Sequence, residues 1–271
     1  MFRHVSILDT VLTAIDHHVA APPPERGGGL LGPLGLPVIT AFLPDPDAAS
    51  GPFRLSAAFQ RALTRVETAE PDLELKGIAH SRSGAVGLPS SAAVADSLRL
   101  APWLGRFVDV IVTGGNRRAE EHEVLLPNGL MSVFVAEPTS AGTVDIRPAR
   151  VHIVPVGRDT ARLAAMLGAG VSPPTTLDVE GVGFVRALVN TAEFELQLLL
   201  PPLYPVQAPL VLVMRGTMFD SAPPAARAFP LAVHWDLTVP AEVRLEHAVR
   251  VAREQFADIG VNSQREDKHE R

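Results

Sequence analysis

Gly77-Ile78-Ala79-His80-Ser81-Arg82-Ser83-Gly84 is the stretch that decides the reading, together with the earlier Glu25-Arg26-Gly27-Gly28-Gly29-Leu30-Leu31-Gly32. In the later stretch, the run from Leu73 to Ala79 reads as a short strand leading into His80 and a Ser/Gly-rich loop. In the earlier one, a glutamate precedes three glycines that read as a turn; without a following Gly-Lys-Ser/Thr they are no phosphate loop.

Outward from these, Val5, Leu8, Val11, Leu12, Ile15 and Val19 recur at helical spacing until Pro22-Pro23-Pro24, which predicts an opening amphipathic helix. Pro37 to Leu43 reads as a strand bounded by Pro44 and Pro46, and Leu55, Phe59, Leu63 and Val66 line one face of a second helix. Ser90 or Ser91 can cap a third helix running towards Leu100. Asp109 to Thr113, Leu130 to Ala136 and Arg150 to Val156 are strand candidates, and Thr160 to Leu167 has the composition of a closing helix. The expectation is a mixed α/β (α+β) domain over residues 1–167.

A Gly/Pro/Thr-rich segment, 168–176, reads as a linker. Val182 to Val189, Glu193 to Leu200 and Pro209 to Met214 then read as an antiparallel meander. Val243, Leu245, Val249, Ala252 and Phe256 make a final helix after Pro240. This gives a second, smaller domain over 177–262 and a disordered tail over 263–271. No internal repeat is visible.

With 46% hydrophobic and 20% charged residues over 271 positions, the chain can build real cores. Cysteine is absent, which excludes disulfides, thiolate zinc sites, cysteine nucleophiles and thioester carriage. Lys and Arg number 24 against 30 Asp and Glu, so the formal charge of −6 offers no cationic field for a phosphate backbone or an anionic membrane. His4 and Asp9 interrupt the first apolar residues, and no run reaches the roughly 18 apolar residues of a membrane span, so the expected location is cytoplasmic.

In order and separation, the Glu25 segment, the His80 segment, Pro89-Ser90-Ser91, Asp96 and the strand Val108-Asp109-Val110-Ile111-Val112 resemble the JAB/MPN (JAMM) metalloproteases over roughly the first 165 residues. In active members of that family two histidines and an aspartate hold zinc, a glutamate shuttles the proton of the bound water, and a serine helps stabilise the oxyanion. The resemblance implies Glu25 as the shuttle, His80 as the first ligand, Ser91 as the oxyanion helper and Asp96 as the third ligand. The second histidine falls on Arg82, whose guanidinium has no lone pair for zinc, and the following proline is Ser83. Three residues after Ser91, the family's spacing, stands Val94; Asp96 is two places late, which turns a helical side chain by about 200°. The expectation is therefore a degenerate, metal-free pocket in which Glu25 and Ser91 are vestigial and Arg82 pairs with Glu25 or Asp96. His17, His18 and His122 are other histidines weighed as replacement ligands; His122, in Arg-Arg-Ala-Glu-Glu-His-Glu, reads as part of a solvated loop.

Tyr204-Pro205-Val206-Gln207-Ala208-Pro209, between two strands of the meander, resembles the Tyr-Pro-x-x-x-Pro turn of ubiquitin-conjugating enzymes and RWD domains. The conjugating cysteine cannot exist here, so the resemblance implies an inactive, recognition-type variant. His234-Trp235 reads as core packing. Both resemblances imply a non-catalytic adaptor or scaffold in a prokaryotic ubiquitin-like modification system, binding a ubiquitin-like protein or its activating or conjugating enzyme, with His80, Arg82 and Tyr204 as binding residues and no cofactor. Two alternatives stand beside it: a zinc-dependent isopeptidase or peptidase that removes a ubiquitin-like protein, and a purely structural assembly protein. Homo- or hetero-oligomers are compatible with all three.

Overall fold

A computed structural model describes residues 3–20, 25–36, 38–47, 55–83, 88–89, 94, 99–101, 105–114, 118–179, 182–191, 194–214, 229–231, 235–241, 243–251 and 254. The fold is mixed α/β with more strand than helix, and it divides into two compact units, Met1–Val154 and Pro155–Arg271. No helix among the described residues is long and apolar enough to cross a membrane.

The first unit runs β1 (Arg3–Leu8), α1 (Asp9–Val19), β2 (Gly27–Pro33), β3 (Val38–Ile39), β4 (Ala41–Pro44), α2 (Ala57–Ala69), β5 (Leu73–Arg82), β6 (Phe107–Thr113), β7 (Glu123–Leu126), β8 (Gly129–Pro138) and β9 (Val144–Val154). They form one sheet of order β3-β1-β9-β8-β6-β5-β2-β4, with β7 paired to β8. β1 is parallel to both of its neighbours, and β5 is parallel to β6. The amide of Thr40 donates to the Leu31 carbonyl at 2.9 Å, which ties the link between β3 and β4 back to β2.

The opening helix is shorter than its periodicity predicts, because Val5 and Leu8 lie in β1 and the helix begins at Asp9. A strand covered on both faces buries successive residues, and Val5, Ser6, Ile7 and Leu8 are all buried; over so short a span its apolar positions cannot be told from a helical stripe. Asp16 on α1 is buried and accepts from the Asn128 amide at 3.0 Å and from its Nδ2 at 2.8 Å, which clamps the helix to the β7–β8 turn.

The triple glycine is strand, not turn. Gly27–Pro33 is buried throughout, between β4 and β5. A Cβ on Gly28 would stand 2.2 Å from the Leu43 carbonyl oxygen, and one on Gly29 would stand 2.5 Å from the Phe59 ring, so only glycine lets β4 and α2 close over β2. α2 is held there by Ser56, whose Oγ accepts from the Phe59 amide at 3.0 Å while donating to Asp45 at 2.7 Å. The expected strand from Pro37 to Leu43 is two pieces, β3 and β4, separated by Thr40, and β5 extends through His80 to Arg82 because β6 pairs with it as far as Thr113. The expected third helix lies mostly outside the described residues, as does the tail over 263–271.

The second unit opens with α3 (Val156–Leu167) and continues β10 (Gly170–Val171), β11 (Thr175–Val179), β12 (Val182–Asn190), β13 (Glu195–Leu200), β14 (Leu210–Met214), β15 (Phe229–Leu231) and α4, helical over residues 243–251. β12, β13, β14 and β15 are successive antiparallel neighbours, the meander read from the alternation. The division falls at Val154/Pro155, so the helix expected to close the first domain opens the second unit, and 168–176 is no linker between units. Gly168 is instead the left-handed cap of α3, at φ 61°, with the Ala169 amide returning to the Ala164 carbonyl at 2.9 Å; the same glycine signal marks a helix end. Tyr204 is fully buried, its hydroxyl donates to Asp159 of α3 at 2.6 Å, and its ring meets Trp235 at 5.8 Å. Burial pushes this hydroxyl's pKa well above its ordinary value, with the Asp159 carboxylate adding to the shift.

Two expected outcomes test this architecture. A Cβ on Gly77 would stand 1.8 Å from the Val108 carbonyl, whereas one on Gly114 meets nothing within 4 Å. Gly77→Ala should therefore cost about 2 kcal/mol or more in urea unfolding and Gly114→Ala far less; equal losses would refute the close approach of β5 and β6. A fragment of residues 155–271 should fold cooperatively by circular dichroism, while one of 176–262, which leaves the Tyr204 hydroxyl without Asp159, should be weaker by at least about 1–3 kcal/mol. Equal stability of the two fragments would detach α3 from the unit.

Candidate functional site

β2 and β5 run antiparallel with Gly27 opposite His80. Beyond that pair, the Ser81 amide donates to the Arg26 carbonyl at 2.7 Å and the Arg26 amide donates to Ser81 Oγ at 2.8 Å. This stitching carries the chain back along the end of β5 and puts Glu25 beside it, where Glu25 Oε1 accepts from the Ser83 amide at 3.3 Å. Glu25 and the His80–Ser83 segment, far apart in sequence, are thus brought together. Side chains alternate along a strand, so His80 and Arg82 share one face of β5 and Ser81 lies on the other.

His80 is buried, and both its ring nitrogens face oxygens. Nδ1 is 3.2 Å from the Ser81 carbonyl, and Nε2 is 3.4 Å from Oδ1 of Asp109 on β6. The second distance is long for a hydrogen bond, so the contact is chiefly electrostatic. Asp109 is 1% exposed, and neither of its oxygens accepts a hydrogen bond of good geometry. A buried carboxylate in that position depends on a cation for its stability. Burial alone disfavours the imidazolium, but the Asp109 carboxylate, the Ser81 carbonyl and Glu25 outweigh it and raise the His80 pKa above its ordinary value. A doubly protonated ring answers both acceptors and has no lone pair left for a metal.

Arg82 is half-buried, and its Nη1 donates to the Leu88 carbonyl. That bond uses one of five guanidinium N–H groups. Among the described residues no three His, Asp or Glu side chains stand together as a metal-ligand set. Ser91 and Asp96 lie outside the described residues. His122 is not in a solvated loop: its side chain is 15% exposed and its ring meets Phe134 edge-on at 5.5 Å. His18 packs its ring 5.8 Å from Phe42. Tyr204, expected as a binding residue, has no exposed surface with which to meet a partner and belongs to the core of the second unit. His234 lies outside the described residues, and Trp235 Nε1 donates to the Pro205 carbonyl at 3.0 Å.

Sequence reasoning missed Asp109 as a site residue. Its signal was present as one acidic residue inside the apolar run Phe107-Val108-Asp109-Val110-Ile111-Val112, whose neighbours are all buried.

A pH dependence follows from the raised His80 pKa. The native state holds the proton more tightly than the unfolded chain, so this stabilisation is full below the unfolded value of about 6.5 and is lost as pH rises through the folded value. Stability should fall across that window, and Asp109→Asn should flatten the slope and bring the His80 C–H titration, followed by NMR, to lower pH. An unchanged titration in Asp109→Asn would refute the pairing.

No known family model matches the chain, and no curated protein matches it.

Proposed function

We propose that the first unit is a JAB/MPN-like recognition module that works without metal, an adaptor in a ubiquitin-like modification system that docks the extended C-terminal tail of a ubiquitin-like protein. The observation that carries this reading is the convergence of Glu25, His80 and Arg82 at one end of the β2–β5 pair, with Arg82 on the same strand face as His80. A tail laid against a strand is held mainly through main-chain hydrogen bonds, which require no metal. Arg82 adds a planar cationic donor that can pair with a carbonyl or a terminal carboxylate, while the His80 nitrogens remain turned to Ser81 and Asp109. The second unit, with its rigid Tyr204 corner, is the conjugating-enzyme/RWD-like partner module of the same reading.

The test is calorimetric titration of a ubiquitin-like protein with its tail intact, and of the same protein with its tail removed, against wild type and Arg82→Ala. Binding should require the tail and weaken about tenfold, about 1.4 kcal/mol, in Arg82→Ala. Equal affinities would sink the proposal. Cleavage of a linear fusion by the wild type, or one zinc per chain by elemental analysis that is lost in His80→Ala, would replace it with the isopeptidase reading.

A further inference from the structure

At the other end of β5 from His80 lies a cavity of about 360 Å³. Its walls come from β1 and β3 on one side and β5 and β6 on the other, with the turn after β2 at its edge: Val5, Leu36, Val38, Leu75 and Val108 supply apolar surface. Lys76 and His80 are four residues apart on an extended strand, about 13 Å, so the cavity and the recognition site are separate. A volume in the range of roughly 300–1,000 Å³, mostly apolar with a few polar groups, is the form of a small-molecule site.

The polar groups are Glu74, Lys76 and Arg106. Lys76 is 13% exposed, and its Nζ pairs with Glu74 Oε1, which also accepts from the Gly35 amide at 3.0 Å. Arg106 pairs through Nε with Glu137, outside the lining, at 3.1 Å. Each lining cation thus faces one carboxylate, Glu74 within the lining for Lys76 and Glu137 outside it for Arg106, and what the lining still offers is N–H donors. An ammonium has three donors, and Glu74 takes one. Desolvating the apolar walls favours an apolar body, and the excess of cationic donors favours an acceptor bearing negative charge at its end.

We propose that this cavity binds a small amphipathic carboxylate, its hydrocarbon chain against Val5, Val38, Leu75 and Val108 and its carboxylate at Lys76. The inference is independent of the ubiquitin-like reading, because it uses none of Glu25, His80 or Arg82.

The full chain, methyl-labelled, is titrated by NMR with octanoate, octylammonium and 1-octanol. Octanoate should shift the methyls of Val5, Val38, Leu75 and Val108 saturably and bind at least fivefold more tightly than octylammonium. Lys76→Met should weaken octanoate at least fivefold and leave 1-octanol within twofold. Leu36→Trp, placed at the half-exposed edge of the cavity, should block both, with the rest of the spectrum unchanged. Octylammonium binding as tightly as octanoate, an unaltered octanoate affinity in Lys76→Met, or no saturable shift at those methyls would each overturn the proposal.

Discussion

The first unit depends on a strand, β2, that has no room for a side chain at Gly28 or Gly29. Gly28 and Gly29 lie where β4 and the Phe59 ring approach within 2.2 Å and 2.5 Å of any added Cβ. Through its glycines β2 therefore acts as a hydrogen-bonded rung between β4 and β5. Its register then sets Gly27 opposite His80, and the two bonds between Arg26 and Ser81, one backbone to backbone and one to the Ser81 hydroxyl, follow. A slip of one residue would turn His80 and Arg82 to the opposite face of the sheet. Glu25 meets the Ser83 amide because the bonds between Arg26 and Ser81 carry the chain back along the end of β5.

On that frame, the chemistry of the site is governed by which atoms have lone pairs to give. A zinc site needs neutral imidazoles and carboxylates turned towards one point. Here His80 turns its nitrogens to a carbonyl and to Asp109, and the next side chain on the same face is a guanidinium. The guanidinium is a donor at every nitrogen, and the imidazole is one at both when it is protonated. The guanidinium N–H groups at the end of β5 suit an incoming carbonyl or carboxylate better than a cation.

Much of this was legible in the sequence, and the exceptions have physical causes. The meander of the second unit was legible in part from the alternation of Leu196, Leu198 and Leu200, all of them buried on β13. The pairing of Glu25 with the His80 stretch was legible only as an order of motifs. The opening helix was overextended because Val5 and Leu8 satisfy both a helical stripe and a buried strand. Gly168 was read as a boundary because a left-handed helix cap and a linker use the same residue. The turn read at Gly27 to Gly29 was a strand because glycine serves close packing as well as flexibility, and periodicity carries no information about what lies above a strand. Tyr204 was read as a corner and as a binding residue; its partner Asp159, on the helix assigned to the other domain, explains why it is buried.

Asp109 was the residue hardest to foresee, and comparison with the other buried acids shows what sets it apart. Asp45 accepts from two amides and the Ser56 hydroxyl, Asp16 from both donors of Asn128, Glu123 from the Glu120 amide and Ser132, and Asp159 from Tyr204 and Arg158. Each of these carboxylates fastens one element to another and is answered by donors, as buried polar groups must be. Asp109 is answered by no donor of good hydrogen-bond geometry: it stands in the middle of β6, is 1% exposed, and has the His80 imidazole of β5 at 3.4 Å. A hydrocarbon side chain would serve the strand better, so the architecture alone gives no reason for a carboxylate there. What the carboxylate does is favour the His80 imidazolium and hold the ring towards β6, on the same strand face as Arg82, and that is a constraint on the site and not on the fold.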